Sequence, residues 1–234
     1  MLLKALIALG SQADPIIRVT KNSNTDDNGN LTLSGSFEAG DIVVFGVALS
    51  LENTFKTYTV GNTATFDGDG DTAYFTDSVT GITDDRYVQT FVYEIPSTTT
   101  DLDIVWTGLS ALEISNAGVD IQLYKAAVVF RNARTTPYDS DNISLTADGS
   151  GAVSEKAGGA TYAFYVSFKS DGRGDSWNPS QPSGSNTLIA TFSNEIVVGA
   201  NWTETANGTA TFSFTEPLTE DHYLIGHFIS FEPA

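Results

Sequence analysis

Apolar and polar residues alternate with a period of two along most of the chain, and helical periodicity is confined to residues 1–10 and the stretch "LSALEIS". The alternation places Leu31, Leu33 and Phe37 on one face of a segment. Successive side chains of a β-strand point to opposite faces, so this pattern predicts strands with one buried face. The alternating segments are rich in β-branched and aromatic residues, which suit a pleated, half-buried surface.

Two segments, residues 41–49 ("DIVVFGVAL") and residues 126–130 ("AAVVF"), are apolar almost throughout. Such runs predict strands that are buried on both faces. A third segment, residues 87–95, carries most of its aromatic side chains on one side and Val88 and Val92 on the other. We therefore expect at least one sheet to be covered on two sides.

Clusters of Gly, Asn, Asp and Ser separate these short segments and predict chain reversals. Many short strands with regular turns indicate an all-β, antiparallel β-sandwich, which we expect to be jelly-roll-like. We assign residues 1–20 to an N-terminal docking segment and residues 21–234 to a single domain. Residues 131–142 ("RNARTTPYDSDN") are either a domain boundary or a long crossover within the sandwich.

The chain of 234 residues carries 29 acidic and 11 basic residues, a formal net charge of −18, and it has no cysteine. An electrostatic field of this sign repels nucleic acid and anionic membranes, so we expect neither nucleic-acid binding nor membrane insertion. The lack of cysteine excludes disulfides, thiol nucleophiles and cysteine-ligated zinc. The two histidines are predicted to be structural residues with their nitrogens hydrogen-bonded.

The N-terminal sequence "MLLKALIALGSQADP" contains a short apolar run, residues 5–9, which is shorter than the roughly 7–15 residues of an export signal. We instead predict an attachment element that docks on the body of the protein or on a partner chain. Its apolar surface consists of Leu2, Leu3, Leu6, Ile7 and Leu9.

The stretch "FDGDGDTAYF" has carboxylates at alternate positions: Asp67, Asp69 and Asp71. A calcium loop of the EF-hand type also needs Gly at its sixth and Glu at its twelfth position, but these are Thr72 and Ser78. One interpretation is therefore a calcium site of another geometry. The other is the solvent-exposed tip of a β-hairpin, with Phe66 and Phe75 anchored inward, because Asp-Gly favours tight hairpin turns.

A long loop, "DGRGDSWNPSQPSGSN" (residues 171–186), contains one large aromatic residue, Trp177. Its ring is a candidate platform for a sugar, with Asp175, Asn178 and Gln181 as hydrogen-bonding neighbours. The competing interpretation is that Trp177 folds back and closes the end of the sandwich. No catalytic motif appears in the sequence, and we name no catalytic residue.

Three segments together resemble jelly-roll proteins of bacteriophage and prophage virions: "SGSFEAGDIVVFGVAL", "VQTFVYEIPSTTTDLDIVW" and "AGGATYAFYVSF". The resemblance covers about the central two-thirds of the chain. It implies a non-enzymatic structural component of a virion, in a fibre, tail or head decoration, located at the particle surface. Its partners would be copies of itself and other virion proteins.

Two other functions remain open. One is a carbohydrate-binding, lectin-like adhesin for host-surface glycans, assisted by calcium at Asp67, Asp69 and Asp71. The other is a glycoside-active enzyme, which would need a pair of carboxylates in one cleft.

Overall fold

The computed structural model describes ten stretches of the chain: residues 13–24, 29–52, 60–80, 84–109, 121–145, 149–169, 185–192, 196–203, 207–214 and 222–234. Within these stretches the regular structure is strand throughout. The strands are β1 (Ile17–Asn24), β2 (Asn30–Phe37), β3 (Ile42–Glu52), β4 (Thr63–Phe66), β5 (Asp69–Thr72), β6 (Phe75–Thr80), β7 (Asp84–Glu94), β8 (Thr99–Trp106), β9 (Ile121–Arg131), β10 (Asp139–Leu145), β11 (Gly149–Glu155), β12 (Ala160–Lys169), β13 (Ser185–Phe192), β14 (Ile196–Thr203), β15 (Gly208–Phe214) and β16 (His222–Phe231). The predicted all-β class is confirmed.

The strands form three main sheets and a two-stranded ribbon. The central sheet has the order β1-β9-β3-β7-β6, the first outer sheet β2-β8-β4-β5, and the second outer sheet β10-β16-β12-β14-β13. The ribbon pairs β11 with β15. Every strand pair is antiparallel, as predicted.

One hydrophobic core lies between the first outer sheet and the central sheet. Phe45 of β3 meets Phe66 of β4 and Phe91 of β7, with ring centroids 6.3 and 5.7 Å away. Leu31 and Leu33 of β2 are buried in the same core, so the alternation predicted for this strand is confirmed. This core joins the two sheets into an antiparallel β-sandwich.

A second core lies on the opposite face of the central sheet. It contains Val44 of β3 and Val128 of β9, which pack with Tyr162, Phe164 and Ile225 of the second outer sheet. The central sheet is therefore covered on both sides, as the apolar runs of β3 and β9 predicted. The predicted sandwich is present, and it has a third sheet where a jelly roll has two.

Gly46 lets the central and second outer sheets approach closely. A Cβ atom at this position of β3 would overlap the ring of Phe164 in β12, so only glycine leaves room for that ring. The Tyr162 hydroxyl, buried beside it, donates to the Ala126 carbonyl of β9 at 3.1 Å. These contacts fix the separation of the two sheets.

Residues 132–138 carry the chain from β9 of the central sheet to β10 of the second outer sheet. We call these residues the crossover, and strands that precede and follow them share the second core. At the other end of the chain, the boundary expected at residue 20 falls inside β1, which pairs with β9.

Candidate functional site

The crossover forms one wall of an open groove of about 650 Å³, which we call the crossover groove. Its lining comprises Gly40, Glu94, residues 133–138, Glu232 and Ala234. The groove lies where β7 and β9 end and β3 begins, so three connections converge on it. A volume of this size is typical of small-molecule sites.

Backbone pairing holds the floor of the groove. Ala133 forms a β-bridge with Pro233, and the Arg134 amide donates to the Glu232 carbonyl at 3.1 Å. The Ala234 amide donates to the carbonyl of Asn132 at 2.8 Å. The crossover and the last described residues therefore act as one short antiparallel ladder.

The polar side chains of the groove are already engaged with one another. Arg134 Nη1 lies 3.1 Å from Glu232 Oε1, and the Thr135 hydroxyl donates to Glu94 Oε2 at 2.7 Å. The Lys156 ammonium lies 4.8 Å from the centroid of the Tyr138 ring, and Tyr138 is still 38% exposed. Two carboxylates thus share the groove: Glu232 is paired with Arg134, and Glu94 accepts a hydrogen bond from Thr135.

A partly buried ion pair lies beside the groove, next to Gly40. Arg131 donates to both carboxylate oxygens of Asp41 at 2.9 and 2.8 Å, and it also contacts Glu38 Oε1 at 2.8 Å. Asp41 is buried, and its amide closes a turn on the Glu38 carbonyl in which Gly40 has a φ of 90°. The hydrogen bond to Asp41 raises the pKa of Arg131, and the two contacts hold the end of β9 against the turn that precedes β3.

The acidic stretch predicted as a calcium loop or a hairpin tip forms a hairpin between β4 and β5. Asp67 and Gly68 make the turn with φ of 49° and 92°, the positive values that an Asp-Gly hairpin turn requires. Phe66 is fully buried, and Phe75 is half-buried and stacked on His227. The predicted hairpin, with both rings anchored inward, is confirmed.

The three hairpin carboxylates have different partners. Asp67 Oδ1 accepts the amide of Asp103 at 2.8 Å, Asp69 Oδ2 accepts the Tyr93 hydroxyl at 3.4 Å, and Asp71 Oδ1 accepts the next amide along the chain. Burial raises the pKa of the Tyr93 hydroxyl, and the nearby carboxylates, Asp69 foremost, raise it further. In the described stretches no three metal-ligating side chains come together as a metal site. Calcium binding here stays a prediction.

His227 lies in the second core, only 2% exposed, between the Phe75 ring at 4.3 Å and the Tyr74 ring at 5.7 Å. Its Nδ1 has no hydrogen-bond partner among the residues that the structure describes, contrary to the expectation of a fully hydrogen-bonded histidine. Burial lowers the pKa of His227 to about 3. The side chain is therefore uncharged at pH 7 and packs as an aromatic ring.

The other predicted binding residues, Trp177, Asp175, Asn178 and Gln181, lie outside the described residues, and so do Leu2, Leu3, Leu6, Ile7 and Leu9. The strands that flank the Trp177 segment are described. β12 and β13 both pair antiparallel with β14, so they are parallel to each other. β12 therefore ends, and β13 begins, at opposite ends of the second outer sheet.

The groove residues were not predicted from the sequence as a site. Glu94 and Glu232 are far apart in the chain, and only the pairing of the crossover with the last residues brings them together. The Thr-Thr-Pro-Tyr run at residues 135–138, inside the predicted crossover, was the one available signal.

Comparison with known proteins gives no family assignment: no protein-family model matches the sequence, and no curated protein is similar to it. Among the described residues, no helix has the length and apolar character that a membrane crossing requires.

Proposed function

We propose that this protein is a non-enzymatic structural component of a bacteriophage virion. It acts by protein–protein assembly, with copies of itself and other virion proteins as partners, at the particle surface. The resemblance of three segments to phage jelly-roll proteins motivates the proposal, and the antiparallel sandwich with doubly covered strands is the kind of rigid module it requires.

The observation that carries the proposal is the anchoring of the residues that follow the apolar N-terminal segment. Ile16 is buried and donates its amide to the Gly158 carbonyl at 2.7 Å. Asn132 Nδ2 donates to the Pro15 carbonyl at 3.1 Å. Because the chain is fixed to the sandwich at residues 15 and 16, a partner that holds the apolar segment would also orient the whole module.

The net charge of the protein also supports attachment through the apolar N-terminal residues. With a formal charge of −18, the folded bodies repel each other in solution, which disfavours association through their general surface. The side chains of Leu2, Leu3, Leu6, Ile7 and Leu9 are uncharged, and an apolar contact made through them is one that the repulsion opposes less. Assembly would then depend on this segment more than on the sandwich faces.

The attachment segment can be tested with two matched variants. In one, Leu2, Leu3, Leu6, Ile7 and Leu9 are all replaced by Ser; in the other, the same five residues are replaced by Met. We expect both variants to be soluble and folded, and only the Met variant to enter particles. Met preserves the apolar contact, whereas each Ser forfeits roughly 1.5–3 kcal/mol of burial energy. Normal incorporation of the Ser variant would refute attachment through this segment.

Carbohydrate binding is the second candidate function, and the exposed Tyr138 ring in a groove with hydrogen-bonding side chains favours it.

A further inference from the structure

The crossover groove has a rigid frame and one accessible aromatic ring. Three consecutive residues of the crossover pair with the last three described residues, and the Tyr138 amide donates to the Ser230 carbonyl at 2.8 Å. The site therefore needs little ordering to accept a ligand, which reduces the entropic cost of binding.

The charges of the groove match a neutral ligand. Glu232 is paired with Arg134, Glu94 accepts from Thr135, and Lys156 lies beside the Tyr138 ring, in a protein whose formal net charge is −18. A cation would have to compete with Arg134 for Glu232, and an anion would meet the field of the whole molecule. A ligand with hydroxyl groups can instead donate to the carboxylates and accept from the guanidinium.

We infer that the crossover groove binds a neutral saccharide. The apolar face of a sugar ring packs on Tyr138, while its hydroxyls reach Glu94 and Arg134. The combination of one aromatic ring with a few placed polar groups is the usual composition of a small-ligand site. The inference gives the second candidate function, on which it rests, a site and a ligand class. It uses no residue of the Trp177 segment and does not depend on the virion proposal.

A printed array of neutral, sialylated and sulfated glycans, probed with the full-length protein, tests the ligand class. We expect neutral glycans to be retained and the anionic ones to be bound more weakly. Calorimetry with the best neutral glycan then measures the role of the ring: Tyr138→Ala should weaken binding about tenfold or more, and Tyr138→Phe should retain it.

Tyr74 provides the control, because it is 48% exposed and lies outside the groove lining, against His227. Tyr74→Ala should leave the affinity within about twofold of the unsubstituted protein. Arg134→Ala changes an exposed side chain and should also weaken binding, so the inference stays testable if Tyr138→Ala does not fold. It is overturned if no neutral glycan binds, if anionic glycans bind better, or if the Tyr74 and Tyr138 substitutions have equal effects.

Discussion

In the first core, two buried side chains, Trp106 and Gln89, are joined by a hydrogen bond. The Trp106 indole of β8 donates to Gln89 Oε1 of β7 at 2.7 Å, and Gln89 Nε2 donates to the Gly61 carbonyl at 2.8 Å. Trp106 and Gln89 are buried, so an unpaired donor here would carry the full cost of its desolvation. This chain of hydrogen bonds fixes the position of the first outer sheet relative to the central sheet.

Gln89→Leu should lower the free energy of unfolding by about 1–3 kcal/mol, because the Trp106 indole loses its buried acceptor. Urea denaturation measures the change. Trp106→Phe, combined with Gln89→Leu, completes a double-mutant cycle, and the double variant should lose less than the sum of the two single losses. Strict additivity would show that the hydrogen bond does not couple the sheets.

His227 gives stability a defined pH dependence. Its folded-state pKa of about 3 lies below the usual 6.5, so between these values the unfolded chain binds a proton that the folded protein does not. The contribution of the neutral His227 to the free energy of unfolding is therefore fully present above pH 6.5. It is lost as the pH falls toward 3, by roughly 1.4 kcal/mol per pH unit.

His227→Phe keeps an aromatic ring against Phe75 and removes the titration. We expect the variant to match the unsubstituted protein at pH 7.5 and to be increasingly more stable than it at pH 5.5 and pH 4.5. Chemical denaturation at each pH supplies the comparison, and the effects of the carboxylates are common to both proteins. Parallel pH profiles would rule out the neutral, buried state of His227.

Alternation along the sequence predicted the buried face of β2, since burial there follows the period of two. It did not predict the partner of Gln89 or the unpaired Nδ1 of His227. Those depend on which residues of distant strands lie opposite, and strand register is decided by the whole sheet.

At the scale of elements, side chains hydrogen-bond to backbone groups of strands at the edges of the sheets. In β1, Asn22 donates to the Thr32 carbonyl of β2 at 2.7 Å. In β10, Asp139 Oδ2 accepts the Ser154 amide of β11 at 2.7 Å, and this hydrogen bond lowers the pKa of Asp139. Because side chains satisfy these backbone groups of β2 and β11, the same groups are not open to pairing with another chain.

The β4–β5 hairpin is such an edge element, and its carboxylates have structural partners. We expect millimolar calcium to raise the unfolding free energy by less than about 0.5 kcal/mol, because binding near its dissociation constant adds little. Asp69→Ala should not alter this small shift, whereas Asp67→Ala should destabilise the protein with or without calcium, since Asp67 holds the Asp103 amide. Thermal unfolding with and without calcium measures both. A large calcium shift that disappears in Asp69→Ala would instead establish a metal site.

The hairpin was predictable at this scale because Asp-Gly is a local signal, whereas the polar, Pro-containing run at residues 131–142 left a domain boundary and a crossover both open. The groove was not predictable, because its two glutamates come from distant strands.

For the whole molecule, the defining feature is a central sheet with a hydrophobic core on each face. The apolar runs of β3 and β9 predicted double burial, and Gly46 permits it by leaving room for Phe164. The third sheet itself could not be predicted, since alternation does not show which faces meet. Ile16, which precedes β1, is hydrogen-bonded to this body through the Gly158 carbonyl.

Mass spectrometry of purified phage particles tests the proposed function most directly. The account predicts peptides of this chain at a fixed ratio to the other particle proteins, retained after washing in high salt because the attachment is apolar. Peptides found only in the soluble fraction of the lysate, and none in the particles, would contradict it.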